Sequence, residues 1–229
     1  MIRGKYFVID VGTSASAPRG RQLKKIYGCP AMFVEPDAEA LSQVPSGPKD
    51  IKVCAAVTSF DGATDFYFYQ DGTHSLLETN LEEIHQYIDG YTGKPAQIED
   101  WRCRKKTRVE CFTLHTLIGR HGIDRVPALK IDAQGHDLEV VKSLGESLAK
   151  VNRIECEVQV TPFEVYKKQS KKGDLVSFLQ QRSYRLIRCE AQTYEQEQNL
   201  IFQRSAWLDF FYRRLRRFHR LGSSQVVGA

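Results

Sequence analysis

Lys130-Ile131-Asp132-Ala133-Gln134-Gly135 closes a short apolar run, Val126 to Ile131, with an acidic residue and then a glycine. A strand buried on both faces reads as a nearly continuous apolar run, and in open α/β sheets ligands gather where such strands end. Gly135 permits a sharp turn into a segment in which Leu138, Val141 and Leu144 recur at helical spacing. Asp132 is therefore predicted to face a crevice at the rim of a sheet.

The same construction opens the chain. Tyr6-Phe7-Val8-Ile9 is continuously apolar and runs into Asp10-Val11-Gly12-Thr13, and a further run, Ala31 to Val34, ends in Glu35-Pro36. An acidic residue about 20 positions beyond a glycine-containing first loop is where α/β nucleotide sites hold ribose hydroxyls, because one carboxylate accepts from both. The loop has neither a complete G-x-G-x-x-G nor a G-K-[ST], so dinucleotides and nucleoside triphosphates are disfavoured. An adenosine-bearing cofactor without phosphates fits the spacing. Ala55 and Ala56, at the end of the next strand, are small enough to admit an adenine ring.

Periodicity places strands at 7–12, 31–35, 51–57, 108–112, 126–131 and 152–158, with 64–69 as an extra strand. Helices are expected at 20–28, 37–43, 113–121, 136–147 and 172–182. This alternation predicts a doubly wound α/β sheet. Strands 184–190 and 198–204 are close enough to pair as an antiparallel hairpin. Residues 80–106, broken by Gly90, Gly93 and Pro95, form an irregular insertion and the candidate substrate-side cover. One domain over 1–205 accommodates all of this, long enough to bury a sizeable core. Apolar runs fall short of the ~20 residues that span a bilayer, and the N-terminus begins a strand instead of a signal peptide, so a cytoplasmic location is expected. The six cysteines lack C-x-x-C spacing. Cys54, Cys111, Cys156 and Cys189 lie in strand-like runs and are expected as buried free thiols.

Asp10-Val11-Gly12-Thr13, Phe33-Val34-Glu35-Pro36 and Lys130-Ile131-Asp132-Ala133-Gln134-Gly135, with Thr73-His74-Ser75-Leu76 between them, resemble in order and spacing the motifs of FkbM-type S-adenosylmethionine-dependent methyltransferases. The likeness covers about residues 5–205. It implies a Rossmann-like seven-stranded sheet with an antiparallel edge hairpin, S-adenosylmethionine as cofactor, and methyl transfer to a sugar or glycoside hydroxyl. On this resemblance Gly12 gives the loop room beside the methionine part of the cofactor, Thr13 and Ser14 supply hydrogen-bonding groups, and Asp10 orients the loop or the amino group. Glu35 takes the ribose, Ala56 borders the adenine, and Ser75 belongs to the cofactor site. Two positions depart from the family pattern: Ser16 replaces a usual glycine and Gln134 a usual glutamate.

Methyl transfer to a hydroxyl needs an aligned acceptor and a base. Asp132 is the first candidate for the base, with His136 just beyond it and Glu157 at the end of the neighbouring strand; the bland reading of His136 is a solvated residue in the first turn of a helix. Asp132 with Glu157 offers the oxygen ligands of one Mg²⁺, but the pair reads first as base and hydrogen-bond acceptor, and no metal is assigned.

The last stretch, 206–229, is distinct, with a basic amphipathic helix expected over 206–221. Trp207, Phe211, Leu215 and Phe218 follow helical spacing, and Arg213, Arg214, Arg216, Arg217 and Arg220, less Asp209, carry +4 of the formal +5. A helix docked on the domain, a contact with a membrane surface or anionic glycan, and nucleic-acid binding are the three readings of it. Two functions compete with the glycan-directed enzyme. One is an RNA 2′-O-methyltransferase, for which Lys130, inside a strand, is a poor acceptor-side lysine; the other is a non-catalytic scaffold binding a partner or membrane.

Overall fold

The computed structural model describes residues 4–69, 73–90 and 92–205. In chain order its elements are β1 (Val8–Val11), α1 (Pro18–Tyr27), β2 (Ala31–Val34), α2 (Ala38–Gln43), β3 (Ile51–Val53), β4 (Ala56–Val57), β5 (Gly62–Phe68), β6 (Lys105–Phe112), α3 (Leu114–Arg120), β7 (Val126–Ile131), α4 (Asp137–Lys142), β8 (Val151–Gln159), α5 (Lys172–Gln180), β9 (Tyr184–Gln192) and β10 (Glu197–Arg204). The main sheet has seven strands in the order β3-β2-β1-β7-β8-β10-β9. The first five are parallel, and β10 runs antiparallel to both β8 and β9. This is the doubly wound sheet with an antiparallel edge hairpin that the sequence predicts.

Strand alternation explains why both faces are covered. Ile9, Val11, Met32 and Val34 pack with Leu117 of α3, Val140 of α4 and Leu175 of α5. Val8, Ala31 and Phe33 point the other way, onto Leu23 of α1 and Leu41 of α2. A third cluster, around Tyr69, Ile84, Tyr87, Trp101 and Tyr166, gathers much of the segment expected as an irregular insertion. Two short 3-10 turns, Ile84–Gln86 and Ile98–Trp101, give that segment its local order.

Several expectations are corrected. The strand expected over 51–57 is two strands: β3 ends beside Val34, and β4 leaves to pair with β6 in a separate sheet ordered β4-β6-β5. β2 stops at Glu35-Pro36, where proline removes a ladder donor, so the main sheet offers residues 56–57 no partner. The helix expected over 136–147 is only α4, because Gly145 takes φ +48° and starts a 3-10 turn, Gly145–Lys150. All six cysteines are free, and Cys111 and Cys156 are buried as expected, but Cys54 and Cys189 are exposed. Cys54 lies in the link between β3 and β4, and Cys189 lies on β9, the edge strand of the main sheet. The basic helix expected over 206–221, with Arg213, Arg214, Arg216, Arg217 and Arg220, lies outside the described residues.

One glycine tests this packing. A Cβ on Gly20 of α1 would overlap the buried Asp10 carboxylate. Gly20→Ala is expected to cost about 1–3 kcal/mol through overpacking, although glycine-to-alanine inside a helix ordinarily gains up to about 1 kcal/mol. Gly119→Ala in α3, where a Cβ meets open space, is expected to be neutral or stabilising. Urea unfolding of both variants reads the two signs; equal effects refute the close approach of α1 to Asp10.

Candidate active site

The parallel ladder continues one step past the strand ends. Gly12 N–H donates to Val34 O, Asp132 N–H to Val11 O, and Glu35 N–H to Val53 O, each at 3.1 Å. Three loops therefore leave the sheet side by side. Gly12 has φ +69°, and a Cβ there would overlap the Asp132 carbonyl oxygen. Its glycine is required by the approach of the β7 loop, a packing reason distinct from the cofactor clearance expected from sequence.

Register sets Asp10 beside Lys130 and Lys130 beside Glu155. Lys130 Nζ donates to Gly12 O at 3.0 Å and lies 3.4 Å from both Asp10 Oδ1 and Asp132 Oδ2. Burial alone would lower its pKa, but Asp132 and Asp10 outweigh burial and raise it. Burial raises the Asp10 pKa, with Lys130 opposing. Glu155 is gripped by Arg19 at 2.6 and 2.8 Å and by Arg153 at 2.7 Å. Burial works to raise its pKa, and the two arginines still bring it below the usual range. Lys130, set aside on sequence as lying inside a strand, thus reaches the rim along its own stem. The available signal was its i, i+2 spacing from Asp132, which puts both on one face.

A cleft of ≈ 250 Å³ opens above these loops. It is smaller than the about 300–1,000 Å³ of typical small-molecule sites, so an occupant of ordinary size extends beyond its enclosed part. Of the residues singled out from sequence, Gly12, Ser14, Glu35, Ala56, Ser75, Asp132 and His136 line it. Asp10 and Thr13 lie behind the loop, where the Thr13 hydroxyl donates to Asp10 O at 3.0 Å. Glu157 is on β8, outside the cleft lining.

Glu35 is 9 % exposed and accepts from Asp37 N–H at 2.9 Å. Burial pushes its pKa up to about 8. His136 Nε2 sits 3.0 Å from Thr58 Oγ1, and burial lowers its pKa, which favours the neutral ring. His74, which sequence reasoning quoted but gave no role, accepts from Tyr69 N–H through Nδ1 at 3.1 Å. That leaves the proton of the neutral ring on Nε2, 3.8 Å from Asp37 Oδ2. The Ser75 hydroxyl donates to Gln134 O at 2.8 Å and so ties its segment to the β7 loop.

Gln134 explains its own departure from the family pattern. Its Nε2 donates to Asp132 Oδ1 at 2.9 Å, and its Oε1 lies 2.8 Å from the Tyr166 hydroxyl. An amide serves a carboxylate and a hydroxyl at once; a second carboxylate would face Asp132 with like charge. Nearby, burial pushes Asp137 up to about 7. Burial, reinforced by Asp132, Glu197 and Asp137, holds Glu157 well above the carboxylate range. Among the described residues no group of three or more His, Cys, Asp or Glu side chains is arranged to hold a metal ion.

Removing the cation should expose this balance. Lys130→Met is expected to cost about 3 kcal/mol, the penalty for breaking a buried ion pair from one side. An acid whose pKa is raised on folding binds more protons folded than unfolded, so its contribution to stability falls as pH rises. The loss in Lys130→Met should therefore be larger at pH 8 than at pH 5, read by denaturant unfolding at both; a pH-independent loss refutes the pairing with Asp10.

Comparison with known proteins bears on this geometry in one respect. No curated protein matches the chain significantly. The family model described as the methyltransferase FkbM domain matches residues 21–186, a span holding the Glu35 rim, the Ser75 segment and the whole β7 loop with Asp132 and Gln134. The chain belongs to the FkbM methyltransferase family.

Proposed function

We propose that the protein is an S-adenosylmethionine-dependent O-methyltransferase whose acceptor is a sugar or glycoside hydroxyl, acting in the cytoplasm, a compartment consistent with six free thiols. The carrying observation is that Glu35, a buried carboxylate, lines one cleft with the Gly12 loop and the small apolar wall of Ala55 and Ala56. The chain's residues suit such a cofactor. Glu35 accepts Asp37 N–H on Oε1 and has acceptor capacity for ribose hydroxyls. Ala55, Ala56 and Phe66 border a space that fits a flat ring, and Gly12 and Ser14 bound the side nearest Asp132.

S-adenosylmethionine supplies a methyl group already activated on a sulfonium. What remains for the protein is alignment and proton removal as the acceptor oxygen forms its bond to carbon and the sulfur–carbon bond breaks. Asp132 is the proposed base. Lys130 and Gln134 hold its carboxylate from either side, which fixes its direction at the cleft. His136, braced by Thr58, positions the acceptor, and Glu157, raised toward its protonated form, is a hydrogen-bond donor beyond the cleft. The packed segment around Tyr87 and Trp101 is the proposed cover on the substrate side.

Calorimetry tests the cofactor. The wild type is expected to bind S-adenosylmethionine in the micromolar range, and Glu35→Ala to bind at least tenfold more weakly; no binding by the folded wild type sinks the reading. Because the Glu35 pKa in the free protein is raised to about 8 and ribose binding uses its carboxylate, affinity should rise between pH 6 and 8, by up to about tenfold per unit, and level off above. Glu35→Gln should be weak and flat over that range. With a glycoside that turns over, Asp132→Asn should lower kcat by about 10²–10⁴-fold while cofactor affinity stays within a few-fold.

A further inference from the structure

Several polar side chains of the cleft are already partnered. Asp132 and Gln134 hold each other at 2.9 Å, His136 is braced by Thr58 at 3.0 Å, and the Ser75 hydroxyl is spent on Gln134 O. Two other lining residues, His74 and Asp37, each commit one polar atom to nearby backbone and leave the second unbonded. Asp37 Oδ1 accepts from Glu39 N–H at 3.0 Å and caps α2, while Oδ2 accepts no hydrogen bond among the described residues. His74 Nδ1 accepts from Tyr69 N–H at 3.1 Å, which puts the proton of the neutral ring on Nε2. Burial lowers the His74 pKa, with Asp37 opposing, and so favours that neutral ring.

The two remaining atoms are a donor and an acceptor side by side. His74 Nε2 stands 3.8 Å from Asp37 Oδ2, beyond hydrogen-bond length, and the side chains are 20 % and 21 % exposed, open enough to meet an occupant. Neither is free to turn away. The imidazole packs edge-on to Phe66, ring centroids 6.2 Å apart, and against Phe68 at 4.8 Å, and the carboxylate is held by its cap. The complement of such a wall is a flat group carrying an acceptor next to a donor. Adenine has that pattern in a ring nitrogen and the neighbouring amino group. Hypoxanthine replaces the amino donor by a carbonyl oxygen, which would set one acceptor against another at Asp37. Position agrees with chemistry: Asp37 N–H donates to Glu35 Oε1 at 2.9 Å, and Phe66, packed on His74, borders the cleft with Ala55 and Ala56.

We propose that His74 and Asp37 read the base of the cofactor, His74 Nε2–H donating to a ring nitrogen of adenine and Asp37 Oδ2 accepting from its amino group; this rests on the S-adenosylmethionine reading of the cleft. With the ribose anchored at Glu35, the ring cannot slide to exchange the two partners. The pair makes the site selective for adenine over a 6-oxopurine.

The test is calorimetry on the full chain with S-adenosylhomocysteine and its inosine counterpart, S-inosylhomocysteine, joined by saturation-transfer NMR with adenosine and inosine. The wild type is expected to bind the adenosyl compound at least about tenfold more tightly, because the inosyl compound leaves the Asp37 acceptor facing an acceptor. His74→Ala should weaken S-adenosylhomocysteine several-fold and shrink that preference. Asp37→Asn keeps a good N-cap residue but presents Nδ2–H in place of Oδ2, so it should shrink the preference several-fold and strengthen the inosyl compound. A merely structural role would weaken both ligands alike. An unchanged ratio in the folded variants, or no preference in the wild type, overturns the proposal. If S-adenosylhomocysteine fails to bind while adenosine shows more transfer than inosine, and that difference vanishes in Asp37→Asn, the cofactor reading falls and the base-reading pair stands. If neither nucleoside nor S-adenosylhomocysteine binds, both fall.

Discussion

The buried ammonium of Lys130 organises the rim of the sheet. It stands between the carboxylates of Asp10 and Asp132 and donates to the Gly12 carbonyl, so one cation joins the end of β1, the loop after it and the loop after β7. In a medium of low dielectric such a charge persists only when opposite charges and hydrogen bonds replace lost water. The glycine at position 12 follows from the same closeness, since the two loops touch where any side chain would intrude on the Asp132 carbonyl. The cleft geometry is thus fixed by a charge cluster beneath it.

That cluster also distributes roles among the acids. Glu155 is neutralised by two arginines and is a structural acid. Asp132 is clasped by a cation on one side and an amide on the other. Glu35 and Glu157, buried without a cation of their own, are pushed toward the protonated form. Buried carboxyl groups on neighbouring strands are therefore shifted in opposite directions because their immediate partners differ. Gln134 belongs to this arrangement: with an amide in place of a carboxylate, it links Asp132 to the Tyr166 hydroxyl without adding charge.

Much of the frame was legible in the sequence. Runs such as Val8–Val11 and Ala31–Val34 are apolar because both faces are covered, and that pattern survives translation into structure without help from distant residues. Gly12, Glu35 and Asp132 were legible for the same reason, being the residues at which those runs stop. Lys130 was placed correctly inside a strand, but its pairing with Asp10 and Asp132 was not foreseen, since periodicity places a backbone and says nothing of where a long side chain ends. His74 was legible only as part of a motif; its proximity to Asp37 joins residues far apart in the chain. The division of 51–57 between two sheets was invisible because it depends on which partner strand runs out first.

The sequence by itself determined the order of strands and helices, the places where strands end in acid or glycine, and the membership these motifs announce. Those are local properties, written in periods of two and 3.6 residues and in the special geometry of glycine and proline. Only the tertiary structure decided which buried acids are pushed up and which are held down, and why position 134 is an amide. Burial and partnership are set by residues brought together from β1, β7, β8 and the segments between them, and no local pattern carries that information.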